Sequence, residues 1–340
     1  MSQESRPTPL VIGAYSAAPS KSGWDPQQEK RYFDALSSLP GVTGYEVPFT
    51  ETLHKYDENW LFDNLRHDSD IVVTLLSGTL ARLKSCPYFG LASTYESGRR
   101  AAMAYTAEAA AAVRRLNRAF GREAVVAVEV HAAPKLENGA SSYEALHASL
   151  VEMASLDWGG ARLVVEHCDA PAGNRAPAKG LLPLSVEIEA VAKAREVTGT
   201  DLGIGLNWGR SVIETRDPYG ATAHIKEAGK AGVLAGFVFS GCSDAPTDFG
   251  DAWADVHVPL APDPSTANCD FAPKSGASAL EPLSLLGTLE VRECLEATLQ
   301  YPGIDYLGVK VSARPRATVE DRIAVIAQSV ELVSSAASAL

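Results

Sequence analysis

The sequence predicts an α/β protein: a (β/α)8 TIM barrel, one domain over residues 1–340, with long loops after strands 3, 5 and 7. Short apolar runs alternate with longer amphipathic or alanine-rich segments, eight times along the chain. Most of the short runs are apolar throughout, as is typical of parallel strands buried on both faces. A doubly wound open sheet is the main alternative. It is disfavoured because Gly13-Ala14-Tyr15-Ser16, after the first run, is not the GxGxxG phosphate-binding fingerprint.

The strands are predicted at the short runs, most of which are continuous apolar stretches rather than alternations of apolar and polar residues. In order, they are Leu10–Tyr15, Gly44–Val47, Asp70–Leu76, Ala124–Val130, Arg162–Glu166, Leu202–Asn207, Leu234–Ser240 and Tyr306–Val311.

The helices are predicted in the longer segments between these strands. They cover residues 26–38, 51–67, 97–120, 142–156, 184–198, 220–231, 283–300 and 318–337. Ser141 or Ser142 can cap the fourth helix, while Gly121 and Gly199 are typical residues to end the third and fifth.

Three connections are longer than a minimal barrel needs, and all follow strands at the carboxyl end, where barrels of this type build their sites. They cover residues 77–95, 168–181 and 241–282. The third contains Phe249, Trp253 and Phe271, which predict an ordered lid over the barrel mouth.

Composition excludes several classes of protein. Thirty Lys and Arg against 42 Asp and Glu give a net charge of −12, which disfavours nucleic acids and anionic membranes as partners. No apolar run is long enough for a transmembrane helix, and the start, MSQESRPTPL, lacks the pattern of a signal peptide. Five scattered cysteines indicate reduced thiols, so we expect a cytoplasmic protein.

Polar side chains at the carboxyl ends of the strands are the candidate site residues. Burying them unpaired would be unfavourable, so they must pair, bind a ligand or face water. The principal candidates are Tyr15, Glu46, His131, Glu166, His167, Asn207, Trp208, Arg210, Ser240 and Lys310.

Four of these are predicted to be catalytic: Glu46, His131, Glu166 and Lys310. The two glutamates and the lysine interrupt apolar strands where they could face the barrel axis. Carboxylates and an amine in one dry pocket suit proton transfer. The alternative is a structural Glu–Lys pair that seals the top of the barrel.

The other candidates are predicted to bind substrate. A Trp can stack on a sugar ring, and an Arg can bind a carboxylate or phosphate. The positive charges of Arg210, Arg175 and Lys179 leave open the possibility that the substrate is an anion. The predicted substrate-binding residues are Tyr15, His167, Asn207, Trp208, Arg210 and Ser240.

The segments LVIGAYS, GYEVPF and VVEH make the chain resemble the xylose isomerase-like barrels, a superfamily of sugar isomerases and epimerases. The resemblance implies a divalent metal held at the ends of strands five to eight. Those positions here are Glu166, Asn207, Ser240 and Lys310, a poor set for a hard cation. Glu166 is the only clear metal ligand, although lid residues Asp244, Asp255 or His257 could add others. The cofactor therefore stays unknown, and Lys310 could replace the ion.

The resemblance and the site residues together predict a sugar or sugar-derivative isomerase or epimerase that moves a proton next to a carbonyl. Glu166 would be the base, His131 or Glu46 the acid, and Lys310 would stabilise enolate charge. One alternative is a Schiff-base aldolase through Lys310, and another is a non-catalytic sugar-binding barrel. Alanine-rich segments at 101–113 and 332–340 leave a homo-oligomer open.

Overall fold

The computed structural model describes residues 8–263 and 279–340, which form a closed barrel of eight parallel strands. Each strand pairs with the next along the chain, and β1 pairs with β8 to close the ring. The predicted (β/α)8 fold is confirmed. The strands are β1 (Leu10–Ile12), β2 (Val42–Pro48), β3 (Asp70–Thr74), β4 (Val125–Val130), β5 (Arg162–Glu166), β6 (Gly203–Asn207), β7 (Leu234–Phe239) and β8 (Tyr306–Val309).

Ten α-helices surround the barrel in the described part of the chain. They are α1 (Pro26–Ser37), α2 (Glu58–Asn64), α3 (Leu76–Ser85), α4 (Glu96–Phe120), α5 (Tyr143–Met153), α6 (Leu184–Thr198), α7 (Trp208–Thr215), α8 (Gly220–Lys230), α9 (Thr288–Thr298) and α10 (Val319–Ser338). Ser142 caps α5 by accepting a hydrogen bond from the Ala145 amide. Gly121 and Gly199 end α4 and α6 in the left-handed conformation that glycine adopts most readily, at φ of 69° and 68°.

Two of these helices were not expected. The predicted loop 77–95 begins with α3, and α7 starts directly after β6, where the sequence indicated strand-end contacts. The helix predicted over 51–67 is shorter in the structure, where α2 covers only Glu58–Asn64. It begins after Asp57, whose side chain accepts a hydrogen bond from the Trp60 amide and so caps the helix. The first strand ends at Ile12 rather than Tyr15, since a 3₁₀ turn occupies Ala14–Ser16.

The apolar residues form two main bodies. The larger lies between the sheet and the helices, and a separate cluster includes Val72, Ala127, Val164 and Tyr306. Side chains alternate along a strand, so residues two positions beyond these also face the barrel axis. By this rule the side chains of Glu129 and Glu166 point into the barrel, on the carboxyl side of the apolar cluster.

Residues 241–263, the larger of the two described parts of the predicted lid, pack against the carboxyl ends of the strands. Gly241 pairs with Val258 through two backbone hydrogen bonds, and the Ser312 amide, just after β8, donates to the His257 carbonyl at 2.7 Å. Phe271, expected in the lid, and Cys269 lie outside the described residues.

No helix in the described residues is long and apolar enough to cross a membrane. The four cysteines that the structure describes, Cys86, Cys168, Cys242 and Cys294, are free thiols.

Candidate active site

Glu46 and Lys310 meet at the carboxyl ends of β2 and β8. The Lys310 Nζ donates to the Glu46 Oε1 at 2.6 Å, and the Tyr15 hydroxyl donates to the same oxygen at 3.0 Å. The side chains of Glu46 and Lys310 are only 2% and 1% exposed. Burial by itself would lower the pKa of Lys310, but the Glu46 carboxylate raises it well above its ordinary value. The lysine is therefore a fixed cation.

Gly13 provides the space for this pair. A Cβ at Gly13 would lie 2.7 Å from the Lys310 Cγ and 3.2 Å from the Glu46 Oε2. Any larger residue would push the lysine away from the carboxylate, so the glycine after β1 is part of the site's construction.

Glu166, at the end of β5, forms a second centre. Its Oε2 is 2.8 Å from the His131 Nε2, and its Oε1 contacts the Arg210 Nη1. All three side chains are at most 1% exposed. Burial tends to raise the pKa of Glu166, but the Arg210 charge and the His131 hydrogen bond hold it well below its usual range. Glu166 is therefore ionised.

His131 is neutral, because burial lowers its pKa more than Glu166 raises it. With Nε2 donating to the carboxylate, Nδ1 is left as an acceptor, and it has no hydrogen-bond partner among the described residues. Glu166 thus fixes one tautomer of His131.

Glu129 lies below the two centres and is fully buried. Its Oε1 accepts from the Tyr306 hydroxyl at 2.5 Å. Burial, and then the neighbouring charges of Glu166 and Glu46, raise its pKa well above its ordinary value. The interior around Glu129 therefore disfavours a third negative charge beside Glu46 and Glu166.

Two lid residues, Asp255 and His257, lie beside the strand-end residues. Asp255, 4% exposed, contacts the Lys179 Nζ at 2.9 Å and accepts from the Arg210 Nε at 3.1 Å. His257 lies 2.8 Å from the Ser240 hydroxyl, and burial lowers its pKa to about 3. Arg210 therefore bridges a barrel carboxylate and a lid carboxylate.

His167 points away from the barrel axis, as strand alternation after Glu166 requires. Its Nδ1 is 2.7 Å from the Glu187 Oε2, and its Nε2 is 3.0 Å from the Glu214 Oε2. Burial would lower the pKa of His167, but the two carboxylates raise it to about 10. This buried charged cluster fastens β5 to α6 and α7. Because both ring nitrogens are occupied there, we leave His167 out of the proposed substrate contacts.

Asn207 ends β6 and caps α7, and Trp208 is the first residue of that helix. The Asn207 Oδ1 accepts from the Arg210 amide at 3.4 Å, and Trp208 is fully buried in the core. Arg210 follows on the first turn of this helix, which aims its side chain at Glu166.

A cavity of about 320 Å³ opens beside Glu46 and Tyr15. Its walls are largely apolar, from Phe33, Tyr45 and Leu53, with Thr50, Ser77 and Lys21 among the polar groups. Its volume falls within the range of small-molecule sites.

The residues at the expected metal positions do not fit a divalent cation. Glu166 is held by Arg210, Ser240 contacts His257, and Lys310 supplies a positive charge. Within residues 8–263 and 279–340, no three His, Cys, Asp or Glu side chains gather to hold a metal. The oxygen donors at these positions are thus already in contact with other groups of the protein, and Lys310 repels a cation.

Several partners could not be found from the sequence. Glu187, Glu214 and Tyr306 bear no motif, and only the fold brings them to His167 and Glu129. Asp255 was expected only as a lid residue that could add a metal ligand, and the sequence does not reveal that Arg210 is its partner.

Residues 11–325 match the family model described as a domain of unknown function, DUF4862. The chain belongs to this family. An uncharacterized protein of Salmonella typhimurium (strain LT2), STM3670, is 33% identical over 335 residues, covering 97% of this chain and 98% of that protein.

Solved structures share the fold at low identity. D-psicose 3-epimerase of Clostridium cellulolyticum H10 has a TM-score of 0.52 at 14% identity, covering 98% of this chain and 96% of that chain. A sugar phosphate isomerase/epimerase of Parabacteroides distasonis has a TM-score of 0.52 at 12% identity, covering 98% and 97%. A xylose isomerase-like TIM barrel fused to 4-hydroxyphenylpyruvate dioxygenase has a TM-score of 0.50 at 14% identity, covering 93% of this chain and 41% of that one. The expected resemblance to xylose isomerase-like barrels is confirmed for the fold.

Proposed function

We propose that this DUF4862 member is an isomerase or epimerase of a sugar or sugar derivative that moves a proton next to a carbonyl. The observation that carries the proposal is the Glu46 carboxylate, which lines the 320 Å³ cavity while bound by Lys310 and Tyr15. The names of the structural neighbours, which are epimerases and isomerases of sugars, support the substrate class.

Glu46 is the proposed base, because it is the barrel carboxylate that faces the cavity. It would take the proton from the carbon next to the substrate carbonyl and return it to that carbon or its neighbour. Lys310 stays protonated and would stabilise the negative charge that develops on the carbonyl oxygen. Tyr15 holds the carboxylate in place.

Glu166, expected to be the base, has a different proposed role. Both of its oxygens contact the protein's own groups, Arg210 and His131, so we propose that it orients the imidazole and fixes its tautomer. His131 does not line the 320 Å³ cavity, so it is not assigned a proton-transfer step.

The raised pKa of Lys310 disfavours the aldolase alternative. A Schiff-base lysine needs a neutral amine, whereas burial of Lys310 is outweighed by the Glu46 charge, which keeps it protonated. Borohydride trapping with keto sugars tests this directly, and we expect no adduct at Lys310.

Deuterium exchange tests the proposal without knowledge of the product. The protein is incubated in D₂O with D-fructose, D-psicose and D-tagatose, in chelator and again with manganese, and exchange at the carbon next to the carbonyl is followed by NMR. We expect exchange in the wild type and a loss of at least 100-fold in Glu46→Gln, the usual contribution of a general base.

The exposed Glu189→Gln is the matched control and should exchange like the wild type. Exchange retained in Glu46→Gln would remove this residue from proton transfer. A wild type that binds a sugar but never exchanges its proton would favour the non-catalytic sugar-binding barrel.

A further inference from the structure

A second cavity, of about 640 Å³, lies outside the proposed reaction site. Its walls come from the loop after β5, the end of α7 and the lid. Three cationic side chains line it: Arg175, Lys179 and Arg216. Such a concentration of positive charge is unusual in a chain with a net charge of −12.

Two of these cations, Arg175 and Arg216, contact backbone carbonyls. Arg175 donates to the Thr215 carbonyl at 2.7 Å, and Arg216 donates to the Ala176 carbonyl at 3.2 Å. Neither forms an ion pair with a carboxylate in the part of the chain that the structure describes. The Arg216 Nη1 is buried and has no hydrogen-bond partner there.

The acidic residue on the cavity wall does not neutralise the two arginines. Asp255 is already in contact with Lys179 at 2.9 Å and with Arg210 at 3.1 Å. Burial, and then the charge on Arg175, lowers the pKa of Arg216, as expected for two like charges on one cavity wall. An anion between them would relieve that repulsion.

Arg216 is also held in a fixed position. Its guanidinium lies 4.3 Å from the centroid of the Trp253 ring, and its backbone has a φ of 58°. A planar cation stacked on an aromatic ring is oriented before a ligand arrives, which reduces the entropy lost on binding.

We infer that this cavity binds the phosphate group of a small molecule through Arg175 and Arg216. Two uncompensated positive charges match the charge of −1.5 to −2 that a phosphate monoester carries near neutral pH, and arginine forks suit its oxygens. The volume leaves room for more than the phosphate itself. The inference does not depend on the proposed reaction, because binding alone tests it.

The test is titration calorimetry and thermal unfolding of the full chain with inorganic phosphate, at ionic strength held constant with sodium chloride. We expect saturable binding to the wild type. Arg175→Gln and Arg216→Asn should each weaken it about tenfold, as expected when a charge-assisted hydrogen bond is lost. Asparagine is chosen at position 216 because it tolerates a positive φ.

Arg118→Gln, an exposed change at the end of α4, is the matched control and should bind phosphate like the wild type. D-fructose 6-phosphate and D-fructose distinguish the source of the phosphate. Tighter binding of the ester than of inorganic phosphate would show a ligand-borne group, and equal binding would show a site for free phosphate; both support the site. No effect beyond that of chloride, or unchanged binding in both arginine variants, would overturn it.

Discussion

The positive charge of Arg210 neutralises two buried carboxylates at the barrel mouth, those of Glu166 and Asp255. We therefore expect the replacement of Arg210 by methionine to destabilise the protein strongly. The side chain is fully buried between Glu166 and Asp255. Removing one member of a buried ionic cluster leaves an uncompensated charge and typically lowers the free energy of unfolding by about 3–5 kcal/mol. Because Asp255 retains Lys179 and Glu166 retains His131, we expect the lower end, about 3 kcal/mol.

Urea unfolding at pH 7 measures this loss, and its pH dependence tests the cause. In the wild type the pKa of Glu166 is depressed, so its stabilising contribution is lost as pH falls below the ordinary value of 4.5. In Arg210→Met, burial should instead raise that pKa, so protonation relieves the buried charge. The difference between the two proteins should therefore narrow as pH falls from 7 towards 4.5.

Two further variants make the reasoning refutable. Glu166→Gln combined with Arg210→Met should recover at least about 1 kcal/mol, because an amide needs no counter-charge. Lys30→Met breaks an exposed pair with Asp34 and should change stability by no more than about 0.5 kcal/mol. The argument is refuted if Arg210→Met costs less than about 1 kcal/mol, or if the double variant is as unstable as the single one.

Two other outcomes are expected, each measured by urea unfolding. The pKa of about 10 for His167 means that its stabilising contribution is complete below its ordinary value of 6.5 and is lost as pH rises towards 10. His167→Gln should therefore lose about 2 kcal/mol at pH 6.5 and show a flatter profile above it; parallel profiles would contradict this. Gly236→Ala would place a Cβ 2.2 Å from the Tyr306 Cζ and should cost about 1–3 kcal/mol, whereas unchanged stability would show that the ring moves freely.

The barrel was predictable because its signal is local and repeated. Strands such as Leu234–Phe239 are continuous apolar runs, and glycines such as Gly199 mark helix ends without reference to the rest of the chain. The two unexpected helices lack such signals. α7 has Gly209 in its first turn and only eight residues, so its stability comes from packing, which a sequence does not display.

The residues of the candidate site were easier to predict from the sequence than the contacts that those residues make with one another. Glu166 and His167 were both named as site residues, but alternation along β5 turns Glu166 towards His131 and His167 towards Glu187. The sequence could not show that Arg210, rather than Lys310, neutralises Glu166. That depends on the start of α7 and on the lid, which are set by tertiary contacts between segments far apart in the chain.

The closure of the barrel has a consequence for how the chain folds as it is made. β1 and β8 pair directly, and Arg322 on α10 donates to the carbonyl of Ala17, 305 positions earlier. Until the ribosome has released those last segments, β1 has an open edge of unpaired amides and carbonyls, the kind of surface that recruits other strands. The unpaired edge of β1 is therefore covered only when β8 pairs with it, and the Arg322 contact from α10 then holds the loop after β1 in place.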